Sequence, residues 1–108
     1  MQRRTVLGAW LGLAAGGTTR AFAAAEGQVT IDNFTFSPQN LSVAAGTRVT
    51  WTNRDDIPHK LLSADGKGPI ASPLLDTDDK YSLTFATPGR YAYFCSLHPH
   101  MQGEVTVG

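Results

Sequence analysis

Polar and apolar residues alternate with a period of two along much of this chain. Arg48-Val49-Thr50-Trp51 and Ser82-Leu83-Thr84-Phe85 are the clearest cases, and this is the pattern of strands with one face buried and the other in water. Comparable short runs recur as "QVTIDNFTF", "NLSVAAG", "RVTWTN", "HKLL", "KYSLTFATPG", "RYAYFC" and "GEVTVG". Gly27, Gly46, Gly89 and Gly103, with Pro38 and Pro88, punctuate them, and nothing after the first two dozen residues sustains a helical period. About seven short strands predict an all-β domain, a small antiparallel sandwich or barrel. Residues 63 to 80, rich in Gly, Asp, Ser and Pro, read as its one long connection.

The N-terminal stretch departs from this pattern. "MQRRTVLGAWLGLAAGGTTRAFA" places Arg3 and Arg4 ahead of an uncharged run from Thr5 to Thr19 and ends in Ala21-Phe22-Ala23. A basic start, a short apolar middle and an A-x-A end form an export signal, predicted over residues 1 to 23. The paired arginines resemble the twin-arginine type, and a periplasmic destination follows. The apolar run falls short of the roughly 20 residues that span a bilayer, so stable membrane insertion is not expected. The remaining 85 residues, 24 to 108, form the predicted domain.

Cleavage changes the charge. The whole chain is neutral, but loss of Arg3, Arg4 and Arg20 leaves six basic against nine acidic side chains, a net charge of −3. A mildly acidic surface disfavours nucleic acid as a partner. Cys95 is the only cysteine, so in an oxidising compartment it has no internal disulfide partner and is expected to be buried or occupied.

Cys95 lies in "YFCSLHPHM", residues 93 to 101, where a thiol, two imidazoles and a thioether share nine positions. Strand alternation points Tyr91, Tyr93 and Cys95 to one face and Ala92 and Phe94 to the other. If the tyrosines face the core, Cys95 is inward at the strand's end. The turn that follows can then fold His98 and Met101 back toward it before "GEVTV" returns as the last strand. A fourth ligand must come from elsewhere, and His59, 36 residues upstream and just after Pro58, is the candidate. Two His, one Cys and a weak axial Met suit copper in an electron-transfer site. Zinc could occupy the set, although Met is not among its usual ligands. A Cys-His pair can also act as nucleophile and base, but no orienting third group accompanies it, so no enzyme is expected.

With "NRDDIPH" upstream of Cys-x2-His-x2-Met, the chain resembles the cupredoxins, the plastocyanin and azurin family, and its short ligand loop is most similar to the amicyanin-like small blue copper proteins. The resemblance extends from "VTIDNFTFSP" to "GEVTV". It implies a Greek-key β-sandwich of seven to eight strands holding one type 1 copper through His59, Cys95, His98 and Met101. It also implies a monomeric one-electron carrier that docks briefly, near His98, with redox proteins such as a dehydrogenase, cytochrome or oxidase. A periplasmic copper-transfer or storage protein is the alternative. Two positions depart from the pattern. Lys60 stands where cupredoxins often carry an Asn that ties the first ligand strand to the ligand loop, and His100 replaces an apolar loop residue.

Overall fold

The computed structural model describes residues 25 to 108, so the predicted signal lies outside the described residues. Eight strands follow one another: β1 (Glu26–Asp32), β2 (Thr35–Ser37), β3 (Asn40–Val43), β4 (Thr47–Asn53), β5 (Leu61–Ser63), β6 (Lys80–Phe85), β7 (Gly89–Cys95) and β8 (His98–Val107). They form two four-stranded sheets, in the order β2-β1-β4-β6 and β3-β8-β7-β5. The all-β sandwich expected from the alternation is what forms. Among the described residues no helix is long and apolar enough to cross a membrane.

The core lies between the sheets. Val29, Ile31, Phe36, Val49, Trp51 and Phe85 enter it from one side, and Leu61, Tyr93, Cys95, Met101, Val105 and Val107 from the other. Along β1 only Gly27, Val29 and Ile31 are buried, each separated by an exposed residue. Burial of each large aliphatic or aromatic side chain stabilises the fold by about 1.5–3 kcal/mol. Trp51 is the hub, with its ring centroid 5.5 Å from Tyr93 and 5.7 Å from Tyr81.

Three features depart from the expectation. The sheets are mixed: β1 runs parallel to β4, with Val29 opposite Trp51, and β3 runs parallel to β8, with Leu41 opposite Val105. The chain leaves one sheet after β2, supplies β3 to the other and returns as β4, a crossover that makes parallel neighbours possible without a helix. The run "QVTIDNFTF" is two strands, because Asn33 and Phe34 take positive φ angles of 53° and 57° and close a two-residue hairpin between Asp32 and Thr35. The connection from residue 64 to 79 folds back along β5, with bridges from Leu62 to Ala71 and from His59 to Leu75. It buries Ile70 and Leu75 in the core.

Candidate metal centre

Cys95 ends β7 on its inward face, and Tyr93 and Cys95 are buried while Ala92 is exposed, as the alternation requires. A register shift between Phe94 and Cys95 breaks the regular ladder here, so Cys95 pairs with His98 across the two-residue turn Ser96-Leu97. The last strand begins earlier than the sequence indicated. His98 and Met101 both belong to β8, which places Met101 on the inward face with Gly103, Val105 and Val107. Met101 is 3% exposed.

His59 reaches the same end of the sandwich from the loop after β4. Its main chain is fixed by reciprocal hydrogen bonds: the His59 N–H donates to the Leu75 carbonyl at 3.0 Å, and the Leu75 N–H to the His59 carbonyl at 2.8 Å. The side chain is fully buried. His59 Nδ1 lies 3.5 Å and His98 Nδ1 3.6 Å from Cys95 Sγ. The three donor atoms lie within 4.8 Å of one another, in the only group of three or more His, Cys, Asp or Glu side chains among the described residues with metal-binding spacing. Two imidazole nitrogens and a thiol converging at the edge of the core, with no disulfide partner for the thiol, suit a soft, thiolate-preferring ion, and the buried thioether of Met101, on the same strand as His98, adds to that preference.

The far side of His59 is held by an orienting carboxylate, contrary to the expectation that no third group accompanies the Cys-His pair. His59 Nε2 lies 2.7 Å from Asp55 Oδ2, and a carboxylate there requires that this nitrogen carry the proton, leaving Nδ1 free to ligate. Asp55 also accepts hydrogen bonds from the turn of the first hairpin, from the Asn33 N–H to Oδ1 at 2.6 Å and from the Phe34 N–H to Oδ2 at 3.1 Å. Burial alone would raise the Asp55 carboxyl. The bonds from Phe34, His59 and Asn33 outweigh it and hold the group below the ordinary carboxylate range. Asn53, itself buried, ties the loop: its side-chain amide donates to the Ile57 and Leu75 carbonyls, each at 2.9 Å, and its oxygen accepts the Asp55 N–H at 2.9 Å.

Lys60 and His100 are exposed, and neither joins the cluster. The tie between the first ligand strand and the ligand loop is nevertheless present in the main chain, where the Ser96 N–H donates to the Lys60 carbonyl at 2.8 Å. The rim is apolar. Pro58, Leu97 and Pro99, which flank His59 and His98 in the chain, are exposed, and the half-exposed Phe34 ring lies against both imidazoles. Nothing in the sequence singled out Phe34, because "QVTIDNFTF" reads as one run and only the Asn33 before it hints at a turn.

A family model described as a cupredoxin-like domain matches residues 3–107. Amicyanin-alpha of Methylorubrum extorquens is 36% identical over 83 residues, spanning 74% of this chain and 70% of that protein. Plastocyanin of Scenedesmus fuscus is 34% identical over 83 residues, with 67% of this chain and 85% of that protein covered. Among solved structures, a purple cupredoxin from Nitrosopumilus maritimus superposes with a TM-score of 0.70 at 39% identity, over 76% of this chain and 99% of that one.

Proposed function

This chain belongs to the cupredoxin-like family, and from that premise we propose that it is an exported blue copper protein that carries single electrons between redox partners. The observation that carries this reading is the convergence of His59 Nδ1, Cys95 Sγ and His98 Nδ1 within 4.8 Å at one end of the sandwich. These three residues would hold one type 1 copper, with the Met101 thioether as a fourth, weaker ligand. Bound there, copper supplies a one-electron Cu(II)/Cu(I) couple.

The protein's part is to keep the donors in place through both states, so that little rearrangement accompanies transfer. Cys95 is fixed by β7 and its pairing to His98, and His59 by its main-chain bonds to Leu75 and its side-chain bond to Asp55. His98 is the donor that reaches the surface, which makes its ring edge the port for electrons. Pro58, Leu97 and Pro99, with Phe34, frame that port with apolar surface of the kind suited to a short-lived encounter. The partner is a redox protein, met by a monomer. Arg3, Arg4 and the A-x-A end at Ala23 support export to the periplasm with residues 1 to 23 removed.

Repeated reduction and reoxidation in the presence of a strong Cu(I) chelator tests the carrier role. An electron carrier cycles rapidly and keeps its copper. Loss of the metal on the first reduction would instead identify a copper-transfer protein.

A further inference from the structure

Among the donors, the His98 ring is the one left without an obvious anchor. Cys95 and His59 are fully buried, and Asp55 holds the His59 ring, whereas His98 shares the strand pairing of Cys95 in its main chain but has a partly exposed ring. Among the described residues, the only hydrogen-bonding contact of its ring is with the Cys95 sulfur at 3.6 Å. What touches the ring from outside is Phe34. The Phe34 and His98 ring centroids are 5.1 Å apart with planes at 83°, and the same phenyl lies 6.0 Å from His59 at 82°. One aromatic side chain therefore meets both imidazoles edge to face, in the arrangement aromatic pairs favour.

Phe34 occupies a position that its residue type does not fit. It is the second residue of a hairpin turn, with a φ of 57°, where glycine is the preferred occupant because a β-carbon is crowded in the left-handed region. It also leaves a large apolar ring 46% exposed. A residue that is unfavourable for its backbone and half in water is retained where surrounding contacts over-determine it, and such positions cluster at ligand clamps. Those contacts come from Asp55, whose carboxylate accepts both N–H groups of the turn and faces His59 Nε2. The same group that fixes the first histidine thus fixes the turn that presents the phenyl to the second.

We infer that Phe34 is a positioning residue for His98: the Asn33-Phe34 turn, anchored on Asp55, lays an aromatic ring against both imidazoles and holds the partly exposed ligand in place from outside the donor set. This rests on the copper-site reading above and adds a component to it. Reduction leaves the site with the ion that tolerates fewer ligands, so the restraint on His98 matters most when Cu(I) is bound.

The test uses Phe34→Gly and Phe34→Tyr in the otherwise unaltered protein, each loaded with copper and reduced. Glycine suits the positive φ, so the variant removes the ring without straining the turn. Two quantities are read: the rate of Cu(I) loss to excess bathocuproine disulfonate, and the urea midpoint of the metal-free protein. Phe34→Gly is expected to lose Cu(I) on the order of ten-fold faster, the scale of losses seen when groups that orient ligands are removed. Its metal-free midpoint should be unchanged or raised, and Phe34→Tyr, which keeps the ring, should match wild type in both. Equal release rates for Phe34→Gly and wild type would overturn the inference. So would faster release accompanied by a parallel fall in the metal-free midpoint, which would make Phe34 a structural residue only. A wild-type protein without visible charge-transfer colour would remove the copper reading and this inference together, whereas a coloured wild type with equal release rates would sink the inference alone.

Discussion

His59 Nε2 and Asp55 Oδ2 are 2.7 Å apart in a site where the histidine is fully buried and the aspartate nearly so. The contact decides which nitrogen of His59 faces Cys95. An unprotonated carboxylate can only accept, so the proton stays on Nε2 and the lone pair of Nδ1 points toward the other donors. Asp55→Asn keeps the shape but can present an amide N–H in place of an acceptor, which weakens the preference for that tautomer. Copper affinity should fall by about 10- to 100-fold, the usual cost of losing such a partner. Competitive titration against a chelator of known affinity checks this, and unchanged affinity would remove Asp55 from the machinery.

Met101 is buried on the inward face of β8, three residues after His98. As a thioether ligand it should favour the reduced ion, because a soft ligand suits Cu(I) better than Cu(II). Met101→Gln is therefore expected to retain copper and colour while the reduction potential falls. Voltammetry on the two proteins reads the difference. Identical potentials would place Met101 in the core as packing alone.

Gly103 faces Tyr93 across the β7–β8 pair. A β-carbon there would sit 2.6 Å from the Tyr93 hydroxyl, 2.7 Å from Cζ and 3.1 Å from the Gln39 carbonyl oxygen. The ring is locked in the core and the carbonyl is backbone, so neither can yield cheaply. Gly103→Ala should cost about 1–3 kcal/mol in chemical denaturation. Adding Tyr93→Phe should recover only part of that, because the contact with Cζ persists.

Tyr93 carries a second consequence. Burial pushes its phenol from 10.0 up to about 12 against a smaller opposing effect of the Trp51 side chain, and among the described residues the hydroxyl makes no hydrogen bond of good geometry. The neutral form is the one the fold favours, so the associated stability is fully present below pH 10 and is lost as pH rises toward 12. The loss amounts to about 2–3 kcal/mol at most. Urea midpoints of the metal-free protein should fall across that window, and more steeply than in Tyr93→Phe. Parallel curves for the two proteins would contradict it.

These residues differ in how far the sequence revealed them. The inward face of Tyr93 and Cys95 followed from alternation and the nearness of His98 from its place in the same short loop, because these signals are local. His59, 36 residues upstream, followed instead from the donor chemistry of a site that needed a further ligand. Asp55 and Asn53 stood in the quoted run "NRDDIPH" without an assigned role. His59 and Ile57 lie four residues from them, but Asn33 and Phe34 become neighbours only once β1 lies beside β4, and Leu75 only once the long connection folds back to bridge His59. The parallel pairings were hidden for the same reason: alternation reports which face is buried and says nothing about which strand lies alongside. The start of β8 at His98 was missed because Pro99 and two histidines look like a turn, whereas the pairing of Cys95 with His98 begins the strand there. Ile70 and Leu75 are isolated apolar residues in a polar run, too sparse to reveal that the long connection folds back onto β5.

The visible spectrum of the Cu(II)-loaded protein tests the central claim most directly. A short bond between copper and the Cys95 thiolate gives intense charge-transfer absorption, which no set of nitrogen and oxygen ligands reproduces. Wild type should be strongly coloured with one copper per chain, and Cys95→Ser should lose the colour. A wild-type protein that binds one Cu(II) tightly and remains colourless would contradict the site formed by His59, Cys95, His98 and Met101.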